Sequence, residues 1–394
     1  MEHFTKSFTR QEPIPEEGIA AAVDVMRGGG LHRYGATPSH VASLEEEFAA
    51  RTGAAHALAV ASGGYAMGCA LRALGVGPGD AVLTNAFTLA PVPGAIAAVG
   101  ARAVLVEVTE DLVLDLDDLA AKADGGAKVL MLSHMRGHIV DMHALMAICD
   151  RAGIAVIEDC AHTMGAAWDG HPSGRWGAIG CYSCQTYKHI NSGEGGLIVT
   201  DDADLAARMI LLSGSYMLYA RNGTAPSEEV FARHKGLMPN VSGRMDELRA
   251  AILRPQLRDL SRQVARWNAC YRAMEHGFRD APGLSVIDRP QAEAFVGSSI
   301  QLLADDAARL PAFVAGCAAR GVEWKWFGAD RPVGFTSAHR HWEYVDRHAL
   351  PRTDAVLSRL IDLRVPLTFD LEDCALIARI VVDEAERHLT TAKA

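Results

Sequence analysis

Residues 183–202 read Ser183-Cys-Gln-Thr-Tyr-Lys188-His-Ile-Asn-Ser-Gly-Glu-Gly-Gly196-Leu-Ile-Val-Thr-Asp-Asp. Lys188 therefore lies between two apolar runs that predict β-strands, and a glycine-rich turn follows it. An amine that forms a Schiff base must be fixed in place, partly desolvated and close to backbone that a ligand can approach. A solvated surface lysine needs none of these features, so the stretch indicates a reactive lysine.

A second stretch, Val156-Ile-Glu-Asp159-Cys-Ala-His162-Thr-Met-Gly165, reads as a buried strand that ends in a carboxylate. Aspartate at such a position is often only a cap or a turn residue. An aspartate paired with a pyridinium nitrogen keeps that nitrogen protonated, so the ring can accept electrons from a breaking Cα–H bond. Lys188 and Asp159 together predict a pyridoxal phosphate site. His162 is placed to contact the ring, although a structural histidine is nearly as good an explanation.

Short apolar runs alternate with helical patterns between about residues 15 and 250. The strand candidates are residues 55–60, 81–84, 103–108, 129–132, 155–158, 181–184 and 196–200. Near-continuous apolar strands separated by helices predict an α/β fold with a mostly parallel seven-stranded sheet covered on both faces. Ligands bind such sheets at the carboxyl ends of the strands.

A long helical pattern that begins near Asp246 marks the predicted change of domain. It runs to about Met274, and Pro255 is expected to break or kink it. At 394 residues the chain exceeds the size at which one core usually keeps growing. We therefore predict a large cofactor-binding domain, residues 1–250, and a smaller α+β C-terminal domain, residues 251–394.

The composition argues against several classes of partner. A formal net charge of −10 disfavours nucleic acid and anionic membranes, which both require a basic surface. No uninterrupted apolar run is long enough to span a bilayer, and the N-terminal residues lack the apolar core of a signal peptide, so the expected compartment is the cytoplasm.

The eight cysteines are expected to be free buried thiols, because a large cytosolic chain needs no disulfide scaffold. Cys181 and Cys184 have Cys-x-x-Cys spacing, but alternation along a strand would point them to opposite faces. His339 and His341 lack a carboxylate partner in the sequence nearby. We predict no metal site.

A phosphate site is predicted at Ser62-Gly63-Gly64, which follows a strand candidate and opens a helical pattern. Glycine lets bare backbone N–H groups meet an anion at the positive end of a helix. Ser183, five residues before Lys188, offers a hydroxyl to the same anion. A tight turn alone would also explain the glycine pair.

Five motifs, in order, resemble those of the DegT/StrS family of pyridoxal-phosphate aminotransferases, which mostly aminate keto-sugars and cyclitols. They are Ser62-Gly63-Gly64, Gly75-Val-Gly-Pro-Gly-Asp80, Glu158-Asp159-Cys-Ala-His162, Lys188 with Ser192-Gly-Glu-Gly-Gly196, and Asn240-Val-Ser-Gly-Arg244-Met. The resemblance runs from about residue 29 to residue 389. It implies the fold-type I architecture of pyridoxal-phosphate transferases.

The resemblance also implies roles for single residues. Lys188 matches the Schiff-base lysine, Asp159 the partner of the ring nitrogen, and His162 a residue beside the ring. Ser183 matches a phosphate-binding serine. Asn240 matches an asparagine that reaches the phosphate of the neighbouring subunit, which implies a homodimer with shared active sites.

Three positions depart from the family pattern. Gly64 stands where the family usually has threonine, and Gln185 where it usually has histidine. Leu89 stands where an aromatic residue usually stacks on the cofactor ring. Leucine still contacts a ring by dispersion, but it lacks the offset-stacking energy of roughly 0.5–1.5 kcal/mol.

The expected function is transfer of an amino group from glutamate or glutamine to the ketone of a small polar acceptor such as a keto-sugar or cyclitol. Other pyridoxal-phosphate chemistry, such as dehydration or decarboxylation, is the first alternative. Family members that dehydrate sugars replace the lysine with histidine, so Lys188 favours transfer. A non-catalytic pyridoxal-phosphate-binding regulator is the second alternative.

The acceptor pocket is less legible from the sequence. Arg136 and Arg244 could pair with a donor carboxylate, although structural salt bridges are the commoner explanation. The run Trp324-Lys325-Trp326-Phe327 could contact substrate or simply pack in a core. The identities of the donor and acceptor, the direction of flux and any assembly beyond a dimer stay open.

Overall fold

The computed structural model describes residues 2–35, 37–334 and 336–390. Its strands are β1 (His56–Val60), β2 (Ala81–Asn85), β3 (Arg102–Val106), β4 (Val129–Ser133), β5 (Ala155–Asp159), β6 (Ala167–Trp168), β7 (His171–Pro172), β8 (Ile179–Ser183), β9 (Gly196–Thr200), β10 (Leu284–Val286), β11 (Glu293–Ala294), β12 (Ser299–Ala304), β13 (Lys325–Trp326) and β14 (Leu360–Arg364). Its α-helices are α1 (Glu16–Gly28), α2 (His40–Thr52), α3 (Gly63–Ala73), α4 (Pro91–Ala98), α5 (Leu116–Ala123), α6 (Met142–Ala152), α7 (Ala203–Leu212), α8 (Glu228–His234), α9 (Glu247–Phe278), α10 (Leu310–Ala319), α11 (Pro351–Arg359) and α12 (Leu371–His388).

The main sheet has seven strands in the order β1-β9-β8-β5-β4-β2-β3. Its neighbouring strands pair in parallel from β8 to β3, and β9 pairs antiparallel with both β1 and β8. The prediction of a mostly parallel seven-stranded sheet is confirmed. The predicted strand bounds agree with the observed ones to within two residues.

The main sheet is buried on both faces because its strands are apolar at consecutive positions. In β4, which is buried throughout, Met131 packs in the core on one face and Leu130 and Leu132 pack in the core on the other. Helix α3 contributes to the first core and helix α6 to the second. This arrangement leaves the carboxyl ends of the parallel strands as one edge where polar side chains can meet.

Helix α9 is 32 residues long and runs across the predicted domain boundary at residue 250. Asp246 caps it by accepting a hydrogen bond from the backbone N–H of Arg249, and Pro255 lies inside it without ending it. Beyond α9, the four-stranded antiparallel sheet β10-β12-β14-β13 packs with α10 and α12 around a second core. Phe4, from the N-terminal segment, joins that core, and its ring centroid lies 5.0 Å from that of Phe369. The domain boundary remains a prediction.

All eight cysteines are free and buried, as the composition indicated. Cys181 and Cys184 lie in different cores, on opposite sides of the sheet. Among the described residues, no helix is long and apolar enough to cross a membrane.

Candidate active site

Three neighbouring strands of the main sheet each end in a polar residue. Strand β4 ends at Ser133, β5 at Asp159 and β8 at Ser183. The parallel register pairs Ser133 with Asp159 and Asp159 with Cys181, so the strands end side by side. A cavity of about 390 Å³ opens at this edge of the sheet.

The cavity brings together nearly all the residues that the sequence predicted for the site. Its lining includes Gly63, Gly64, Leu89, Asp159, His162, Ser183 and Lys188. Asn240 is the exception: it is exposed, it does not line the cavity, and its side-chain oxygen accepts a hydrogen bond of 3.1 Å from the backbone N–H of Ser242.

The Lys188 amine is buried against a histidine. Its Nζ lies 2.9 Å from Nε2 of His162. Burial, opposed by the attraction of Asp159 and reinforced by nearby cations including Arg136, lowers the pKa of Lys188 to about 7. Burial and the neighbouring Lys188 hold the pKa of His162 well below its usual range, so the imidazole is neutral and can accept a hydrogen bond from the amine. A lysine with this pKa is a nucleophile near neutral pH.

Labelling of Lys188 by an amine-directed reagent in the cofactor-free protein is expected to be half-maximal near pH 7. The reason is that only the unprotonated amine reacts, and its fraction rises as pH passes the pKa of the folded state. Peptide mapping after short exposure to trinitrobenzenesulfonate at each pH would measure the rate. The exposed Lys128, which does not line the cavity, serves as the control. Coincident profiles for the two lysines would contradict the interpretation.

The carboxylate of Asp159 is held by a chain of hydroxyl groups. Ser133 Oγ donates a hydrogen bond of 2.9 Å to Oδ2 of Asp159. Thr88 Oγ1 in turn donates to Ser133 Oγ at 2.8 Å, and the backbone N–H of Ala161 donates to Asp159 Oδ1 at 3.1 Å. These contacts fix the orientation of the carboxylate at the edge of the cavity, where it can meet a cationic ring nitrogen.

An anion cradle lies at the start of α3. Ser62 caps this helix, its Oγ accepting a hydrogen bond of 3.1 Å from the backbone N–H of Tyr65. A Cβ at position 63 would lie 2.9 Å from Cβ of Ser183, so glycine is required where the two segments meet. The first N–H groups of the helix and the hydroxyl of Ser183 can both donate to an anion here.

These groups fit pyridoxal phosphate. A desolvated amine, an oriented carboxylate and an anion cradle line one cavity, and each matches a different part of that cofactor. Lys188 would hold the aldehyde, Asp159 would meet the ring nitrogen, and Gly63, Gly64 and Ser183 would hold the phosphate.

The sequence profile of the DegT/DnrJ/EryC1/StrS aminotransferase family matches residues 13–382 of the chain. The chain belongs to this family. It is 35% identical over 250 residues to the 3-amino-5-hydroxybenzoate synthase of Amycolatopsis mediterranei (strain S699), covering 59% of this chain and 60% of that protein. It is 32% identical over 255 residues to the L-glutamine:2-deoxy-scyllo-inosose aminotransferase of Streptomyces kanamyceticus, covering 64% of this chain and 60% of that protein.

Solved structures extend the similarity over almost the whole chain. The crystal structure of 3-amino-5-hydroxybenzoic acid synthase has a TM-score of 0.81 and 27% identity, and covers 98% of this chain and 99% of that chain. The fold is therefore that of the DegT/DnrJ/EryC1/StrS aminotransferases, as the sequence motifs indicated. The curated sequence matches, in contrast, span only about 60% of each of the two relatives named above.

One cluster near the site has the residue types of a metal centre. Ligand atoms of His134, Glu158 and Cys160 all lie within 4.8 Å of one another. The carboxylate of Glu158, however, accepts hydrogen bonds of 2.8 Å from the backbone N–H groups of Gly174 and Gly177, and its Oε2 lies 3.0 Å from Nε2 of His134. Hydrogen bonding therefore explains the close approach of Glu158 and His134.

The sequence analysis did not predict Ser133 and Arg364 as residues of the cavity wall, and it favoured a structural salt bridge for Arg136. Ser133 could have been found, because it ends an apolar strand that neighbours the strand of Asp159. Arg136 lines the cavity and also forms a buried ion pair, with its Nη2 3.0 Å from Oδ2 of Asp362. Arg364 also lines the cavity, but it comes from the second sheet and nothing in its local sequence marks it.

Proposed function

We propose that this chain is a pyridoxal-phosphate-dependent aminotransferase. In this proposal it moves an amino group from an amino-acid donor, glutamate or glutamine, to the ketone of a small polar acceptor such as a keto-sugar or cyclitol. The observation that carries the proposal is the shared cavity of the Lys188 amine and the Asp159 carboxylate beside an anion cradle. The similarity to the L-glutamine:2-deoxy-scyllo-inosose aminotransferase of S. kanamyceticus supports the proposal.

When bound, pyridoxal phosphate supplies an aldehyde for exchange with amines and a ring that accepts electrons. The chain supplies positioning and proton transfer. Lys188 holds the cofactor and later carries the proton away from the donor's Cα, a role suited to an amine with a pKa of about 7. His162 orients that amine through their 2.9 Å contact. Leu89 would contact the ring of the cofactor, and the carboxylate of Asp159 would meet the ring nitrogen.

The proposal includes a homodimer with shared active sites. Segments 212–218 and 237–243 lie together, because the backbone N–H of Val241 donates to the carbonyl oxygen of Leu212 at 2.9 Å. These two segments carry Asn240 and exposed apolar side chains, including Met217 at 70% and Leu237 at 71% exposure. Exposed apolar groups beside an asparagine that lies outside the cavity fit a surface that meets a second copy. The cytoplasmic location stays a prediction.

L-Glutamine labelled with ¹⁵N at its α-amine is expected to bleach the aldehyde absorbance of the bound cofactor and to pass the label to an added ketone. The reason is that transfer keeps the nitrogen on the cofactor between the two half-reactions. Mass spectrometry of the aminated product measures the transfer. Release of the label as ammonia would favour elimination chemistry, and an unchanged spectrum across a panel of amino acids would favour a non-catalytic protein.

A further inference from the structure

Three cations lie near Lys188, and two of them share a single carboxylate. Oδ2 of Asp362 lies 3.0 Å from Nη2 of Arg136 and 3.3 Å from Nζ of Lys325. The other oxygen, Oδ1, accepts a hydrogen bond of 2.8 Å from Nε2 of Gln301. Asp362 is fully buried, and both of its carboxylate oxygens contact groups of the protein. The single negative charge of Asp362 is therefore shared by Arg136 and Lys325.

The third cation is Arg364, which lines the cavity together with Arg136. It lies two residues beyond Asp362 on β14, so the two side chains leave the same face of the strand. Its guanidinium lies 3.9 Å from the ring centroid of Tyr187, the residue before the reactive lysine. In the part of the chain that the structure describes, neither its buried Nη1 nor Nε of Arg136 has a hydrogen-bond partner.

The cluster carries more positive charge than its surroundings neutralise. Burial lowers the pKa of Lys325 to about 8 and also lowers that of Arg364, and the repulsion of Arg136 adds to both shifts. The attraction of Asp362 opposes these shifts without cancelling them. The carboxylates in the described lining are Asp159, which the proposed cofactor engages, and Glu194, which is exposed. One buried carboxylate beside three cations leaves the cluster with an excess of positive charge, which is unfavourable away from water. An anionic ligand would relieve that cost.

We propose that Arg136 and Arg364 form a carboxylate-binding subsite of the active site, and that Lys325 adds positive charge to it from outside the cavity lining. The planar forks of two guanidinium groups match a carboxylate. The amino-acid donor fills the subsite in one half of the reaction, and a ketone that itself bears a carboxylate fills it in the other. This inference rests on the proposed function and narrows its acceptor from small polar ketones in general to carboxylated ones.

Glutarate, which has two carboxylates and neither an amine nor a ketone, is the probe for the subsite itself. It is expected to bind the cofactor-loaded protein in isothermal titration calorimetry, and the neutral glutaramide is not. Arg364→Gln is expected to weaken glutarate binding on the order of 30-fold, with Arg364→Lys intermediate because it keeps the charge without the fork. Lys325→Gln is a second variant, and the exposed Arg347→Gln is the control. Equal glutarate affinity in wild type and both site variants would overturn the subsite.

Single-turnover kinetics separate the donor from the acceptor. With L-glutamine, Arg364→Gln is expected to raise the apparent Kd on the order of 30-fold while the limiting rate changes less. For the acceptor half, 3-oxocyclohexanecarboxylate is compared with its neutral carboxamide. Wild type is expected to prefer the carboxylate by a similar factor, and Arg364→Gln to lose that preference.

An unchanged apparent Kd for L-glutamine in the variant would overturn the donor part of the inference. Equal use of the two ketones by wild type would overturn the acceptor part. Glutarate binding needs no turnover, so its dependence on Arg364 can be measured even in a protein that transfers no amino group. Failure of the proposed function and failure of the subsite are therefore distinguishable.

Discussion

Lys188→Ala is expected to abolish amino transfer and to remove the absorbance band of a cofactor linked to the protein. The variant loses the buried amine that lies 2.9 Å from His162 and has a pKa of about 7. Loss of proton transfer alone lowers the rate on the order of 10²- to 10⁴-fold, and loss of the covalent anchor adds to that. Stopped-flow spectroscopy with L-glutamine, together with product assays, measures both effects.

Lys128→Ala is the matched control, because Lys128 is exposed and does not line the cavity. It should retain wild-type spectra and rates. The Lys188 variant should remain folded, since removing a buried amine also removes its desolvation cost. A folded Lys188→Ala protein that still transfers nitrogen at a rate close to wild type would refute the assignment of the reactive lysine.

The sheet and the reactive pair could be predicted from the sequence because their signals are local. A strand buried on both faces requires consecutive apolar residues, and Leu130, Met131 and Leu132 show this pattern in β4, which is buried throughout. Glu158 and Asp159 follow such a run and close β5, which places Asp159 at the carboxyl edge of the sheet. Lys188 was marked by its flanking strands and by the glycines that follow it.

The cation cluster could not be predicted in the same way. Arg136 follows β4 of the main sheet, whereas Asp362 and Arg364 belong to β14 of the second sheet. Packing between the two sheets brings these residues together and places Nη2 of Arg136 3.0 Å from Oδ2 of Asp362. Arg136 also has a φ of 57°, a left-handed conformation that its local sequence does not indicate.

Leu89 lies in the cavity wall, as its place in the sequence predicted, but the packing of the neighbouring Phe87 could be seen only in the structure. The sequence placed it where the family usually has an aromatic residue, and the structure places it in the cavity wall. The nearby Phe87 does not line the cavity, because it is buried edge-on against Phe327 with their ring centroids 5.1 Å apart. The aromatic ring of Phe87 therefore packs against Phe327 instead of facing the cavity.

Asp159→Asn is expected to lower turnover by roughly 30- to 5,000-fold, the range for removing one partner of a buried charge pair. Asparagine keeps the size of the side chain and an oxygen that can accept the 2.9 Å hydrogen bond from Ser133. It loses the negative charge that would keep the cofactor's ring nitrogen protonated, so the ring becomes a poorer acceptor of electrons. Steady-state kinetics and the absorbance maximum of the bound cofactor report the two effects separately.

Ser133→Ala separates orientation from charge at the same carboxylate. It leaves Asp159 in place but removes the Ser133 hydroxyl, which donates to Oδ2 of Asp159. In the wild type that hydroxyl accepts a hydrogen bond of 2.8 Å from Oγ1 of Thr88. Loss of one hydrogen bond predicts a decrease of roughly 2- to 10-fold, well below that of the charge-removing variant. If Asp159→Asn instead retained turnover within twofold of wild type, the ring nitrogen would not depend on this residue. Another group would then have to keep the ring nitrogen protonated. The described lining of the cavity offers Asp159 as its buried carboxylate, so that group would have to come from elsewhere.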